Sequence, residues 1–202
     1  MSEIILKNLH EGDLQEVARI HLAAFPKSAI GQLGDEAVKR YYRWQLQGPH
    51  DVIALGTFCE EKLTGFCFAG IFRGSLSGFL QKNKAFLAWR VITHPWLAAT
   101  PLFRERIRSA SIILIKRPEV VAPQKSFGVL SIAVDPEWQG AGVGKRLMLE
   151  VERIARDRDF LNMHLTVGID NMQAIKFYEK LGWCKVLAQD GKWRGAMAKH
   201  IE

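Results

Sequence analysis

The hydrophobic and polar positions of this chain alternate with two different periods, and each period predicts one kind of element. Apolar residues at every second position indicate strands, and apolar residues three or four positions apart indicate helices. The first third of the chain predicts a strand, two helices and two strands: residues 4–9, 14–25, 35–47, 51–60 and 63–72. Asp13 is the expected N-cap of the first helix, and Glu61-Lys62 is the expected turn between the last two strands. His21 lies on the apolar face of the first helix, and we interpret it as a packed histidine rather than a ligand.

The last third of the chain continues the alternation. It predicts strands over 127–134, 162–168, 183–189 and 194–201, and helices over 143–158 and 171–181. Pro136 has no N–H for a sheet ladder, so the strand before it ends there, and Gly182 ends a helix as a left-handed cap. With residues 73–125 inserted before the fourth strand, this order predicts an α/β (α+β) fold, a mixed sheet with helices on its faces.

Length and composition are typical of one soluble globular domain. At 202 residues, 48% hydrophobic and 24% charged, we expect residues 1–202 to form a single domain that includes 73–125. The first residues lack the apolar run of a secretory signal, and no uncharged stretch reaches the ~18 residues of a transmembrane helix. Cys59, Cys67 and Cys184 are odd in number and lack metal-ligand spacing. We therefore expect reduced thiols, a cytoplasmic protein and no metal.

A Gly-rich turn, Gln139-Gly-Ala-Gly-Val-Gly144, leads from the fourth strand directly into a predicted helix. Glycines let the backbone turn so that its N–H groups converge, and a helix N-terminus adds partial positive charge, so the turn suits a pyrophosphate. A dinucleotide-binding fingerprint would need glycine where Lys145 stands. A P-loop would need glycine in place of Gln139 and a hydroxyl residue in place of Arg146. The spacing excludes both motifs.

Two motifs resemble those of the GNAT superfamily of acyl-CoA N-acyltransferases. The first is Val134-Asp-Pro-x-x-Gln-Gly-x-Gly-Val-Gly144, which matches the family's pyrophosphate signature, and the second is Asn171-x-x-Ala-x-x-Phe-Tyr-x-x-Leu-Gly-Trp183. The resemblance covers nearly the whole chain except 73–125. It implies a mostly antiparallel sheet of about six to seven strands, acetyl-CoA as co-substrate, and acyl transfer to a primary amine by direct attack in a ternary complex.

The resemblance also implies roles for individual residues. The donor site would comprise Ile132, Ala133 and Val134 on the strand, with Gln139, Gly140, Ala141, Gly142, Val143, Gly144 and Lys145 in the turn. The strand would pair with the pantetheine arm and offer N–H groups to a developing oxyanion. Tyr178 would act as general acid toward the CoA sulfur. Asn171 would cap its helix, and whether it also contacts the CoA arm stays open.

The general base is the point at which this sequence departs from well-known relatives, which carry a glutamate where this chain has Gly128. A base from elsewhere acting through water, or an amine that arrives deprotonated, would replace it. By chemistry alone the candidates are Glu60, Glu61, His94 and His164, and the sequence favours none of them.

The excess positive charge lies in the insert, residues 73–125. The net charge is +7, and between Arg73 and Arg117 nine basic residues and one acidic residue give +8 for this stretch alone. Apolar spacing predicts one amphipathic helix over 76–91 and a second over 102–115. Three interpretations stay open: a solvated cover over the acceptor cleft, a lid that recruits an anionic acceptor, and an interfacial helix that makes peripheral contact with a membrane. No nucleic-acid motif is present, and we expect no nucleic-acid partner.

The acceptor is not defined by any motif. A small-molecule amine or amino sugar is the leading hypothesis, a protein N-terminus or lysine is the alternative, and a non-catalytic CoA-binding sensor is a third option. The missing glutamate at Gly128 favours the sensor, whereas Tyr178 and the complete Gly-rich turn favour an enzyme. The oligomeric state and the length of the acyl group stay open as well.

Overall fold

The structure is a computed structural model that describes residues 3–72, 75–96 and 126–201. Its strands are β1 (Ile5–Asn8), β2 (Asp51–Cys59), β3 (Lys62–Ile71), β4 (Ser126–Val134), β5 (Asn162–Thr166), β6 (Cys184–Leu187) and β7 (Trp193–His200). Its helices are α1 (Leu14–Ala24), α2 (Ala29–Gln32), α3 (Asp35–Gln47), α4 (Ser75–Lys82), α5 (Lys84–Thr93), α6 (Val143–Asp157) and α7 (Met172–Lys180). Among the described residues, no helix has the length and hydrophobicity needed to span a bilayer.

All seven strands form one sheet in the order β1-β2-β3-β4-β5-β7-β6. The central pair, β4 and β5, is parallel, and the other pairs are antiparallel. The parallel pair requires a crossover, which α6 supplies, whereas tight turns suffice for the antiparallel pairs β2–β3 and β6–β7. The predicted mixed, mostly antiparallel sheet with flanking helices is therefore confirmed.

The two faces of the sheet are covered unequally. Face A, which carries Phe127 and Met163, is buried under α6 and α7 along β2 to β7. Face B, which carries Phe66 and Phe68, is buried under α1 and α3 only as far as β4. On β5 the residues alternate between exposed and buried, so His164 and its neighbours on face B are exposed. Within the described chain, the sheet is thus closed on face A and open on face B beyond β4.

The structure corrects several predicted elements. The β2–β3 turn is Glu60-Glu61, whose positive φ angles of 48° and 67° place Lys62 already in β3. The short helix α2, capped by the Ser28 hydroxyl, was not predicted. The single helix predicted over 76–91 is two helices, α4 and α5, which meet at Asn83. The helix predicted over 102–115 lies outside the described residues.

Candidate active site

The strand that carries the predicted donor residues separates from its neighbour half-way along. Across from β3, Ala69 pairs with Val129 and Phe68 pairs with Ser131, so Leu130 is an extra residue and forms a β-bulge. On the other side, the pairing of β4 with β5 ends at Val129. Among the described residues, 130–134 therefore pair with β3 on one side and with no strand on the other, and we call this second side the open edge of β4.

The backbone groups of the open edge can be assigned from one hydrogen bond. The N–H of Asp135 donates to the Thr64 carbonyl at 2.9 Å, so Asp135 points toward β3. Successive residues of a strand direct their backbone groups to opposite sides. Ala133 therefore faces β3, whereas the N–H and C=O of Ile132 and Val134 face the open side. The three predicted residues thus divide into two that present backbone groups and one that pairs with β3.

The Gly-rich turn adjoins the end of β4. Gly140 and Gly142 have positive φ angles of +84° and +80°, and a Cβ added at either would meet nothing within 4 Å. Gly144 is different, because a Cβ there would lie 3.4 Å from the Phe177 ring and 3.5 Å from a Val134 methyl. The glycine at 144 thus allows β4, α6 and α7 to approach one another, while those at 140 and 142 leave free space outside the turn.

The N-terminus of α6 has backbone donors without a partner in the helix. The first N–H that bonds back is that of Arg146, which donates to the Gly142 carbonyl at 3.0 Å. The N–H groups of Val143, Gly144 and Lys145 precede it and have no carbonyl four residues earlier in the helix. Gly142 offers no side chain as a cap. The turn therefore presents several donors at the positive end of a 15-residue helix, a good environment for an anion.

An ion pair between the exposed Arg19 and the buried Asp135 joins the start of the turn to the first helix. Asp135 is 2% exposed and accepts hydrogen bonds from the Arg19 guanidinium at 2.7 Å and from the Glu137 N–H at 3.1 Å. Burial alone would raise the pKa of Asp135, but these bonds and the Arg19 charge outweigh it, and the pKa lies below its ordinary value. Sequence analysis treated Asp135 only as the end of a strand. An aspartate directly before a proline often accepts a backbone N–H of the following turn, and this local pattern could have identified Asp135.

Tyr178 lies on α7 under face A and is 8% exposed. It belongs to the same buried cluster as Cys67, the residue of β3 that pairs with Ile132 on the open edge. Burial, and to a smaller extent the nearby Cys67, raises the pKa of the phenol, which is protonated at neutral pH with or without this shift. Among the described residues no side chain hydrogen-bonds its hydroxyl, so the phenol proton is free to be donated.

Asn171 has the capping role that was expected. Its side-chain oxygen accepts the Ala174 N–H at 3.1 Å at the start of α7. Among the candidate bases, Glu60 and Glu61 form the β2–β3 turn, and His94 caps the end of α5. His164 is the candidate that adjoins Gly128, its paired residue on β4.

A chain of polar groups inside the protein links α1 and α3 to β4, and sequence analysis missed it. His21 contacts the Ser28 hydroxyl and the Tyr42 hydroxyl, each at 2.9 Å, and Tyr42 donates to Ser131 at 3.1 Å. His21 is 6% exposed, and burial lowers its pKa to about 4, so the imidazole is neutral. It is a packed histidine, as expected, but one that positions the strand of the open edge through Tyr42.

A family model described as the acetyltransferase (GNAT) family matches residues 14–183, a span that contains the open edge, the Gly-rich turn and Tyr178. The chain belongs to the GNAT acetyltransferase family. This confirms the family resemblance and, at the level of the family, the predicted N-acetyltransferase.

Individual relatives agree with the family assignment. A mycothiol acetyltransferase of Nocardiopsis dassonvillei is 46% identical over 55 residues, which are 27% of this chain and 17% of that protein. The ribosomal-protein-S18-alanine N-acetyltransferase of Escherichia coli has the same fold with a TM-score of 0.59 at 17% identity, over 98% of this chain and 94% of the other. The PaiA N-acetyltransferase of Thermoplasma acidophilum, solved with coenzyme A, has a TM-score of 0.60 at 16% identity, over 98% and 99% of the two chains. At these identities the solved structures establish the fold alone.

Proposed function

We propose that this GNAT protein transfers an acetyl group from acetyl-CoA to a primary amine, with the donor bound between the open edge of β4 and the N-terminus of α6. One observation carries the proposal: the open edge of β4 ends in a turn whose backbone N–H groups have no partner in the helix that follows. A ligand suited to this site has peptide-like amides followed by an anion. The pantetheine arm and pyrophosphate of coenzyme A have this arrangement.

The pantetheine arm and the pyrophosphate of the donor each have matching protein groups. The backbone groups of Ile132 and Val134 can pair with pantetheine amides as an added strand would. The N–H groups of residues 142–145, with the exposed Lys145 side chain, suit the pyrophosphate. The empty space outside Gly140 and Gly142 lets phosphate oxygens approach the backbone. Asn171, one turn from Ala174 on α7, remains a candidate contact for the CoA arm.

The chemistry follows from the electrophile that acetyl-CoA supplies, a thioester carbonyl. N–H groups on the open edge can stabilise the charge that develops on the carbonyl oxygen. Tyr178, a phenol that is protonated at neutral pH, donates a proton to the departing sulfur. The acceptor amine reaches the carbonyl from face B, because α6 and α7 fill face A.

For the acceptor, we propose a small-molecule amine or amino sugar, and a protein amino group is the second candidate. The open part of face B beyond β4 is accessible to either. Relatives differ in the same way, since one is named a mycothiol acetyltransferase and another a ribosomal-protein-alanine N-acetyltransferase. A sensor that binds CoA without catalysis is disfavoured by the Tyr178 hydroxyl, which no described side chain hydrogen-bonds and which a binding module does not need.

We propose that the insert is part of the same domain and contributes to the acceptor side. Its described part docks on α2 and α3, because Arg90 donates to the Leu33 carbonyl at 2.8 Å and Lys82 lies over the Trp44 ring at 5.2 Å. These two cations hold the insert in place, so an anionic acceptor would be recruited by the others. Among the described ones, Lys84 is exposed and has no such contact.

Thiol release with acetyl-CoA and a panel of amines tests the proposal. The panel contains a polyamine, an amino sugar, a lysine peptide and a peptide with an N-terminal alanine, and a reaction without amine gives the background. Because Cys184 is exposed and would react with a thiol reagent, the assay uses a Cys184→Ser variant. Amine-dependent release with an acetylated product supports the enzyme, and the preferred amine separates the two acceptor classes. Binding of acetyl-CoA with no amine-dependent release would favour the sensor.

A further inference from the structure

We propose that His164 is the general base that accepts a proton from the acceptor amine, in the place left free by Gly128. The inference rests on the proposed acetyl transfer and adds to it the group that this chain lacks on β4. Gly128 and His164 are paired residues on the two parallel strands at the centre of the sheet.

The imidazole occupies the space that a side chain at position 128 would fill. A Cβ added to Gly128 would lie 3.0 Å from Nε2 and 3.1 Å from Cε1 of His164, and 3.4 Å from the Gly70 carbonyl oxygen. A larger residue at 128 would displace the ring. The imidazole of His164 can therefore occupy this position only because residue 128 is a glycine.

The ring is held by its other nitrogen. Nδ1 of His164 lies 2.7 Å from the Ser126 hydroxyl, so a proton on Nδ1 can be donated to Ser126 while Nε2 keeps a free lone pair. The pairing of β4 with β5 ends one residue beyond Gly128, at Val129 and Leu165. Nε2 thus stands on face B beside the start of the open edge, within reach of an amine directly or through one water.

The surroundings of His164 favour a neutral ring. Packing against the sheet removes part of its hydration and lowers its pKa, so it is ready to accept a proton at neutral pH. Among the described residues, the titratable groups that β6 and β7 place on the same face include Cys184, whose β7 partner Ala198 also pairs with His164, and His200, which contacts the Asn162 amide oxygen at 3.1 Å. Among the described residues, no carboxylate forms an ion pair with His164.

The reaction balances with two proton transfers. The ammonium form of the acceptor gives one proton to Nε2, which returns it to solvent, and the nitrogen lone pair forms the bond to the thioester carbon. The carbon–sulfur bond breaks with its electron pair on sulfur, and Tyr178 protonates that sulfur. The nitrogen then loses its second proton to the Tyr178 phenolate, which becomes a phenol again. The products are the N-acetyl amine and free coenzyme A.

Two histidine variants test the inference with the best amine of the panel. His164→Gln keeps a polar side chain on the strand but removes the proton acceptor, and we expect kcat/KM to fall about 10²-fold while acetyl-CoA affinity stays unchanged. In the wild-type protein, kcat/KM should decrease as the pH drops below the His164 pKa, which lies under the ordinary 6.5. The His164→Gln variant should lose that inflection. His200→Gln is the matched control and should retain both rate and inflection.

Chemical rescue separates a base from a structural residue. Free imidazole should restore part of the activity of His164→Ala, because it can enter the space above Gly128, and should leave Tyr178→Phe unchanged. Full activity of His164→Gln with the wild-type inflection would overturn the proposal, as would a loss of activity matched by lost acetyl-CoA affinity. If the wild-type protein releases no thiol with any amine, the proposed transfer fails and this inference fails with it. Equal kcat/KM in the wild-type and the His164→Gln proteins would overturn only the role of His164.

Discussion

At the scale of single residues, the donor site depends on side chains that are absent as much as on those present. Gly140 and Gly142 adopt left-handed backbone angles that cost a residue with a Cβ roughly 1–2 kcal/mol, and they leave open space beside the α6 N-terminus. Tyr178 has the opposite character, a large side chain packed under face A with one free polar group. These residues are proposed to bind and to protonate different parts of the same donor.

Tyr178→Phe keeps the ring and removes only the proposed proton donor. We expect kcat to fall about 10²-fold or more, with acetyl-CoA affinity nearly unchanged, because the hydroxyl acts on the leaving sulfur rather than on the bound donor. Steady-state kinetics and calorimetry measure the two quantities. Tyr41→Phe is the control, since burial raises the pKa of Tyr41 to about 12 but the residue lies on α3, under the other face. Full turnover by Tyr178→Phe would leave Tyr178 as a packing residue.

At this scale, a residue's role could be predicted from the sequence where the local backbone geometry requires one residue type. The glycines of the turn could be predicted because positive φ angles and a strand-to-helix junction need them. The Arg19–Asp135 ion pair could not, because its partners are 116 residues apart and neither has a local pattern that names the other. The same holds for Tyr42 and Ser131, which are 89 residues apart.

At the scale of elements, β4 is the decisive strand. Its apolar pattern predicted the strand within one residue at its start, but the bulge at Leu130 and the end of pairing at Val129 depend on register with two neighbours. Alternation along one strand carries no information about where a partner ends. The open edge was therefore implied only by the family resemblance, and the structure locates its start at Leu130.

The open edge makes a prediction with residue resolution. Acetyl-CoA should slow amide hydrogen exchange at Ile132 and Val134, whose N–H groups face the open side, because they would bond the pantetheine arm. Exchange at Ala133, which faces β3, should change little, so it serves as an internal control. NMR-detected exchange with and without acetyl-CoA measures all three. Equal protection of the three residues, or none, would contradict the proposed strand-like pairing.

At the scale of the whole molecule, the buried polar chain from Ser28 to Ser131 makes stability depend on pH. His21 has a pKa of about 4 in the folded protein and about 6.5 when unfolded, so the unfolded chain binds more protons between these values. The His21 contribution to the free energy of unfolding is therefore fully present above about pH 6.5 and decreases as the pH falls toward 4.

Urea unfolding at pH 7 and pH 5 measures this effect. The wild-type protein should lose about 2 kcal/mol between the two values through His21 alone. His21→Gln should be less stable at pH 7 but should lose correspondingly less on acidification. His50 and His164, whose pKa values burial also lowers, contribute with the same sign in both proteins and cancel in the comparison. An identical pH dependence in the two proteins would mean that His21 is not neutral in the fold.

The insert shows the limit of composition at this scale. The charge count treats its basic residues alike, yet Lys82 lies over the Trp44 ring and Arg90 donates to the Leu33 carbonyl. A cation that docks a helix and one that faces solvent are identical in a charge count. These contacts place the described part of the insert beside α2 and α3, and no sequence pattern predicted them.

Acetyl-CoA binding to Gly142→Val, compared with Gly191→Val, tests whether the Gly-rich turn before α6 holds the donor. Both glycines have a left-handed φ, +80° and +75°, and a Cβ at either meets nothing within 4 Å, so the two substitutions strain the backbone similarly. They differ in place, since Gly142 caps α6 and Gly191 lies in the β6–β7 turn. In isothermal titration calorimetry, we expect that Gly142→Val no longer binds acetyl-CoA while Gly191→Val binds with wild-type affinity. Wild-type affinity in Gly142→Val would contradict this expectation and remove the donor from this turn.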